Sequence, residues 1–250
     1  MIIDIHSHFN RGTEYDCTET DLHFRNFKFM MDDYENCGIK CGGFSFYSSV
    51  LVNKEIYEDN QALFELSQKE KKVYQWVVLD PRQEELFFQI EKMINSNKVL
   101  GIKIHSPYHW YDIDTYADRI FSFANDLNCF VLMHPDKIGN MVKYADKYKD
   151  MKLIIAHLDS CAHIDAIKES KHGNIFTDTS AGGMVLNNIL EYAVQKVGSE
   201  KIFFGTDTYA SGYQIGRVQY SRLSEKDKEN IFYKNAINNF NALNDVYKLQ

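Results

Sequence analysis

Eight short apolar runs recur along the 250 residues at spacings of roughly 20 to 40, and each is followed by an amphipathic stretch. They are IIDIH (2–6), CGGFSFY (41–47), VYQWVVLD (73–80), VLGIKIH (99–105), CFVLMH (129–134), KLIIAH (152–157), NIFTDTS (174–180) and KIFFGTD (201–207). Most lack polar alternation, as expected of parallel strands covered on both faces. The intervening segments read as helices. Asp114 to Leu127 places Tyr116, Ile120, Phe123, Ala124 and Leu127 on one face, and Asn188 to Val197 stops before Gly198. The alternation predicts an α/β chain folded as a (β/α)8 barrel of the TIM type, distorted, forming a single domain over residues 1–250. An open doubly wound sheet is the alternative.

In such a barrel the active site is built at the C-terminal ends of the strands. Those positions are occupied by His6 and His8 in the first run, Lys103 and His105 in the fourth, His134 in the fifth, His157 in the sixth, Asp178 in the seventh and Asp207 in the eighth. Period-two alternation predicts Asp4, His6 and His8 on one strand face, with the two imidazoles about 6.6 Å apart along it. Each residue has a bland alternative: a strand-closing His134, a core His157, or Asp178 and Asp207 as caps. Jointly, His6, His8, His134 and Asp207 make a ligand set for a divalent metal, whereas Asp178 is read as structural.

Imidazole nitrogens and a carboxylate suit zinc, with manganese or another divalent ion as alternatives, and a catalytic site keeps a position for water whose pKa falls to about 7. Asp207 then serves as ligand and proton shuttle, and His157 polarises a carbonyl or, if a second ion binds, joins His134 as its ligand. Lys103 needs a counter-charge in a barrel interior. A substrate carboxylate, Asp4, or a bridging carbamate between two ions would supply it. His105 is expected to line the pocket, the loop Tyr108-His109-Trp110-Tyr111 to wall it through Trp110, and Arg11 and Arg217 are candidate anion contacts. His23, His163 and His172 read as surface residues.

Taken together, DIHSH, GIKIHSP, MHP, AHLDS, NIFTDTSAG and FFGTDT, with the terminal IFYKNAINNFN, resemble the amidohydrolase superfamily, in particular its amidohydrolase-2 branch of metal-dependent barrels. The resemblance implies a metal, usually zinc, held by His6, His8, His134 and Asp207, with His157 at the position of a catalytic histidine. It implies hydrolysis of an amide, ester or lactone-like bond. The alternative is non-oxidative decarboxylation of a small aromatic or muconate-type acid. A metal-dependent deoxyribonuclease barrel fits less well, because that variant expects a glutamate where Lys103 and His105 stand. A non-catalytic binding barrel fits less well too, because the ligand set is complete.

The formal charge of −7 and pI near 5.7 disfavour nucleic acid or an anionic membrane as partner. The expected partner is a small molecule, and the chain is open to homo-oligomer formation. Five cysteines, an odd count at wide spacing with no CxxC pair, argue against a disulfide framework. The start carries no basic segment before its apolar run, and no run approaches about 18 apolar residues, so a cytoplasmic location is expected.

Overall fold

The structure, a computed structural model, describes residues 1–11, 25–53, 55–182 and 186–248. Eight parallel strands lie in one sheet in chain order: β1 (Ile2–Phe9), β2 (Ile39–Phe46), β3 (Val73–Val78), β4 (Val99–Ile104), β5 (Phe130–Met133), β6 (Lys152–Ile155), β7 (Ile175–Asp178) and β8 (Ile202–Phe203). The Ile5 N–H donates to the Phe204 carbonyl at 2.9 Å, and a parallel bridge joins Ser7 to Asp207, so β8 returns to β1 and the sheet closes. This is the (β/α)8 barrel expected from the eight apolar runs.

Around it lie α1 (Phe27–Cys37), α2 (Tyr47–Leu51), α3 (Ile56–Lys69), α4 (Glu84–Met93), α5 (Ser106–His109), α6 (Ile113–Asp126), α7 (Ile138–Lys147), α8 (Cys161–Glu169), α9 (Ile189–Val197), α10 (Ser211–Gln219), α11 (Glu225–Glu229) and α12 (Asn235–Asn239). A π-turn over Asn230–Lys234 joins the last two.

The apolar residues divide between two main layers. Ile3, Ile5, Trp76, Leu132, Ile154 and Phe203 fill the barrel, whose N-terminal end is plugged by Phe240, Leu243 and Val246. Ile102, Ile104, Val131, Leu153 and Ile155 pack outward against helices. Side chains on both faces of the strands are therefore removed from water, which is why the runs lacked alternation. Glycine is required at 101: an added Cβ would stand 2.3 Å from the Phe130 carbonyl oxygen and 2.8 Å from the Trp76 ring.

One local feature overturns the expected parity of the first strand. Asp4 pairs with Gly42 and Ser7 with Phe44, so β1 spends three steps where β2 spends two. This bulge re-aims side chains after it. Ile5 and His6 both serve the interior, whereas Asp4 turns to the outer side, where it accepts from the Tyr34 hydroxyl at 2.7 Å. Asp4 therefore does not share a face with His6 and His8.

Candidate metal centre

His6, His8, Lys103 and Asp178 lie within β1, β4 and β7, whereas β5, β6 and β8 end one to four residues before the side chains that face the site, which therefore stand on the first turn beyond the sheet. His134 follows Met133, His157 lies two residues past Ile155, and Asp207 four past Phe203. Two of them, His157 (φ 65°) and Asp207 (φ 57°), adopt the left-handed backbone region. For a residue with a Cβ this costs on the order of 1–2 kcal/mol and persists only where surrounding bonds enforce it. Asp207 is so enforced: its N–H donates to the His6 carbonyl at 2.7 Å, and its own carbonyl accepts from the Ser7 hydroxyl at 3.1 Å.

His6, His8 and Asp207 each place one ligand-type atom within 4.8 Å of the other two. His8 Nε2 is 3.4 Å from Asp207 Oδ1. Two donors at 2.0–2.2 Å from one tetrahedral ion stand about 3.3–3.5 Å apart, so that pair already has the spacing of ligands. The fourth expected ligand, His134, lies to one side. Its ring stacks on His105 at 4.0 Å between centroids, and its Nδ1 is 3.2 Å from His157 Nε2. That separation fits the second-ion arrangement as well as a direct hydrogen bond between the two rings.

The surrounding hydrogen bonds decide which nitrogens are free. Ser180 Oγ lies within reach of Asp178 Oδ1, His157 Nδ1 (2.8 Å) and His6 Nδ1 (3.0 Å). A carboxylate only accepts, so the Ser180 proton goes to Asp178 and both imidazoles donate from Nδ1. His6 Nδ1 also reaches Asp178 Oδ2 at 2.9 Å. His8 donates from Nδ1 to the Ser45 carbonyl at 3.2 Å. His157 Nε2 then accepts from His134 Nδ1, which leaves lone pairs at Nε2 of His6, His8 and His134. Neutral imidazoles with their lone pairs at Nε2, each held through Nδ1 by a neighbour, are the form a metal requires, so the donor set fits a divalent ion, with Lys103 Nζ the group an ion would displace from His6 Nε2.

Asp178 does the capping expected of it, accepting from the backbone N–H of His157 (3.0 Å) and Ser180 (2.9 Å). It also orients His6, a role the sequence did not suggest.

Electrostatics favour that neutral state. Burial, with the charges of Lys103 and His134, holds His6 well below the usual imidazole range, and burial with His6 and Lys103 does the same to His8. Burial and Lys103 bring His134 down to about 4. Burial pushes Asp207 up to about 7 against the attraction of Lys103, and brings Lys103 down to about 8 against that of Asp207.

Lys103 is only 1% exposed and its Nζ donates to His6 Nε2 at 3.0 Å. It does not pair with Asp4, whose carboxylate is taken by Tyr34, Thr206 and the His6 backbone. The cation thus sits on the floor of the same cavity as the donor set.

That cavity, of about 490 Å³, is walled by Val50, Leu51, Tyr108, Pro135, Thr208 and Tyr209 and floored by the histidines, Lys103 and Asp207. His105 lines it as expected. Trp110 does not: it is 84% exposed on a left-handed turn, and of its aromatic neighbours only Tyr108 reaches the cavity. His109 is buried against the Ser49 carbonyl, and Arg82 lies over the Tyr111 ring. Arg11 pairs with Asp59 and Arg217 with Glu191, both away from the cavity.

His163 is buried rather than on the surface, donating to the Ala156 carbonyl at 2.9 Å immediately before His157. His172 is exposed, and His23 lies outside the described residues. Cys37, Cys41, Cys129 and Cys161 are free, and Cys17 lies outside the described residues. No helix among the described residues is long and apolar enough to cross a membrane.

With this geometry in place, comparison assigns the class. The Amidohydrolase family model matches residues 3–241, and the chain belongs to that family. No curated protein matches it. Among solved structures, it is similar to a dihydroxybenzoic acid decarboxylase from a Polaromonas species, solved with manganese and the inhibitor 2-nitroresorcinol, at TM-score 0.73 and 15% identity over 97% of each chain. It is also similar to 2,6-dihydroxybenzoate decarboxylase from Rhizobium, at TM-score 0.73 and 14% identity over 99% of this chain and 98% of that one. An amidohydrolase from Burkholderia multivorans with bound zinc gives TM-score 0.70 and 15% identity over 96% and 98%. At these identities the likeness shows a shared fold.

Proposed function

We propose that this protein is a metal-dependent enzyme that removes carbon dioxide from a small carboxylic acid held at the barrel mouth. The observation that carries the reading is Lys103: a fully buried amine in the same cavity as the His6, His8 and Asp207 donors. A cation beside a metal centre suits a carboxylate substrate. It has less to offer a neutral amide or ester. The decarboxylases of Polaromonas and Rhizobium share the fold over nearly their whole length, which supports this reaction over the hydrolysis placed first from sequence.

His6, His8, His134 and Asp207 would hold the ion, with manganese and zinc both represented among similar structures. When bound, a divalent cation supplies a Lewis acid that orients and polarises substrate oxygens. Lys103 neutralises and orients the carboxylate. Asp207 stands beside His8 at the cavity floor, where it can take a proton from solvent and pass it to the reacting carbon. As the carbon–carboxylate bond breaks, its electron pair takes that proton and carbon dioxide leaves, after which Asp207 is reprotonated from solvent. His157, neutral and fixed by Ser180, faces the cavity as a positioning and polarising group. Tyr108, Val50 and Leu51 reduce water access to the developing carbanion.

Hydrolysis is the second reading, favoured by one observation: ionised Asp207 beside His8 can equally take a proton from an attacking water. The deciding experiment incubates metal-loaded protein with a panel of aromatic and unsaturated carboxylic acids, lactones and amides. Carbon dioxide release is followed in parallel with hydrolytic products. Release of carbon dioxide, lost in Asp207→Ala, is expected. Ring opening or amide cleavage without it would transfer the assignment to hydrolysis.

A further inference from the structure

We propose that Arg25 is a positioning residue for Asp207, its guanidinium gripping the peptide whose twist turns the Asp207 carboxylate toward His8. The inference rests on the reading of Asp207 as a metal ligand.

The direction of the Asp207 side chain is set by an unusual backbone angle, φ 57°. The peptide before it is anchored by the N–H bond to the His6 carbonyl at 2.7 Å. The peptide after it must be anchored too, or the residue relaxes to an ordinary conformation and carries its carboxylate away from His8. Two groups do this: the Ser7 hydroxyl at 3.1 Å, and Arg25 Nη2 at 3.2 Å. The arginine bond is the charge-assisted member of the pair.

Arg25 is itself held from several sides. Its Nη1 is 3.2 Å from Asp33 Oδ2 on α1 and 3.5 Å from the Ser211 hydroxyl opening α10, and Ser211 in turn donates to Asp33. Its backbone carbonyl accepts from Asn10 at 2.7 Å, just past the end of β1. The side chain is 8% exposed. A guanidinium buried only to pair with Asp33 would have no cause to reach a carbonyl on the far side. Here its second arm meets the peptide that follows Asp207. Arg25 thereby links β1, α1 and α10 to the eighth-strand end of the site. Nothing in the sequence marks it, because the contact spans 182 positions.

The test is calorimetric titration of Mn²⁺ into the full-length, metal-stripped protein, comparing the parent with Asp207→Ala, Arg25→Met and Arg25→Lys. Arg25→Met keeps the length and apolar stem and removes the guanidinium. It is expected to weaken Mn²⁺ binding tenfold or more, with the Asp207 backbone shifted from its left-handed angle in a crystal structure of the variant. If the methionine variant does not fold, Arg25→Lys, whose single ammonium cannot span Asp33 and the Asp207 carbonyl together, is read instead. A loss of fivefold or more in the variant that is read supports the proposal, and a smaller loss overturns it if Asp207→Ala abolishes binding. Mn²⁺ binding that survives Asp207→Ala undiminished would instead remove the ligand reading itself, whatever Arg25 does.

Discussion

Replacing Ser180 by alanine tests the hydrogen-bond logic that makes the imidazoles available. Ser180 Oγ gives its proton to Asp178 and receives Nδ1–H from His157 at 2.8 Å and His6 at 3.0 Å. After truncation His6 keeps Asp178 Oδ2 at 2.9 Å, but His157 loses its Nδ1 acceptor while 7% exposed. A buried donor stranded in this way costs about 1–3 kcal/mol. Alternatively His157 changes tautomer, becoming a donor at Nε2. That forces His134 Nδ1, 3.2 Å away, to become the acceptor and puts the His134 proton on the nitrogen that should face a metal. Both routes disturb the rings around the proposed ligands through a group outside that set, and loss of such a partner typically lowers metal affinity about 10–100-fold. The assay pairs urea unfolding of the metal-stripped protein with Zn²⁺ or Mn²⁺ titration of the folded protein. An affinity within twofold of the parent, together with a stability change below about 0.5 kcal/mol, would refute the tautomer assignment.

Four further outcomes are expected. Lys103→Met should leave metal binding equal or tighter, since it removes an ammonium that covers His6 Nε2, yet lower kcat/KM on a carboxylate substrate at least 100-fold; retained turnover would end its role as anchor. Trp110→Ala should leave turnover within twofold of the parent, because the ring is 84% exposed outside the cavity, and a larger loss in a steady-state assay would return it to the site. Arg82→Met should cost about 1–2 kcal/mol at pH 7 in urea unfolding. Burial pushes Asp80 up, but the Arg82 hydrogen bonds outweigh it and hold the carboxyl below its usual range. That stabilisation is present above the ordinary carboxylate pKa and lost as pH falls through the lower folded value, so the Arg82→Met penalty should shrink on acidification below about pH 4, and a penalty growing there would reverse the sign. Gly101→Ala should destabilise by more than about 2 kcal/mol, as its Cβ meets the Phe130 carbonyl, which has no rotamer by which to withdraw; a thermal midpoint equal to the parent's would show that β4 shifts freely.

What could be read from the sequence, and what could not, divides along a physical line. Strands covered on both faces announce themselves as unbroken apolar runs, and the barrel topology then says where each run ends. Donors at run ends such as His134, His157 and Asp207 were therefore legible without any knowledge of contacts. The bulge in β1 was not. Ile3, Asp4, Ile5 and His6 alternate as a regular strand would, and the extra residue becomes visible only when β1 is laid against β2. Because a one-residue slip turns a side chain to the other face, Asp4 was placed on the face of His6 and His8, and one of the three counter-charges offered to Lys103 was a partner it does not have. His163 was legible in principle, since helical spacing puts it with the buried Ala166 and Ile167. Ser45, Ser180 and Arg25 were not, as serine and arginine are common everywhere and their partners lie 37, 174 and 182 positions away.

The bulge has a further consequence for how this site can be altered. By turning Asp4 outward it gives the carboxylate to Tyr34 on α1 and to the N–H and hydroxyl of Thr206, one residue before Asp207. By turning His6 inward it sets the ring against Lys103 and Asp178. Adjacent stretches of one strand therefore hold the eighth-strand end from outside and meet the seventh- and fourth-strand groups inside. Asp207 cannot move without straining the bonds that Asp4, Ser7 and His6 make to its turn, which couples it to the first-strand members of the proposed ligand set. Geometry held in this way favours one ion of fixed coordination over loose binding of many. It also makes substitutions at Asp4 and Thr206, which lie outside the cavity, as damaging to metal affinity as those at the ligands' immediate hydrogen-bond partners.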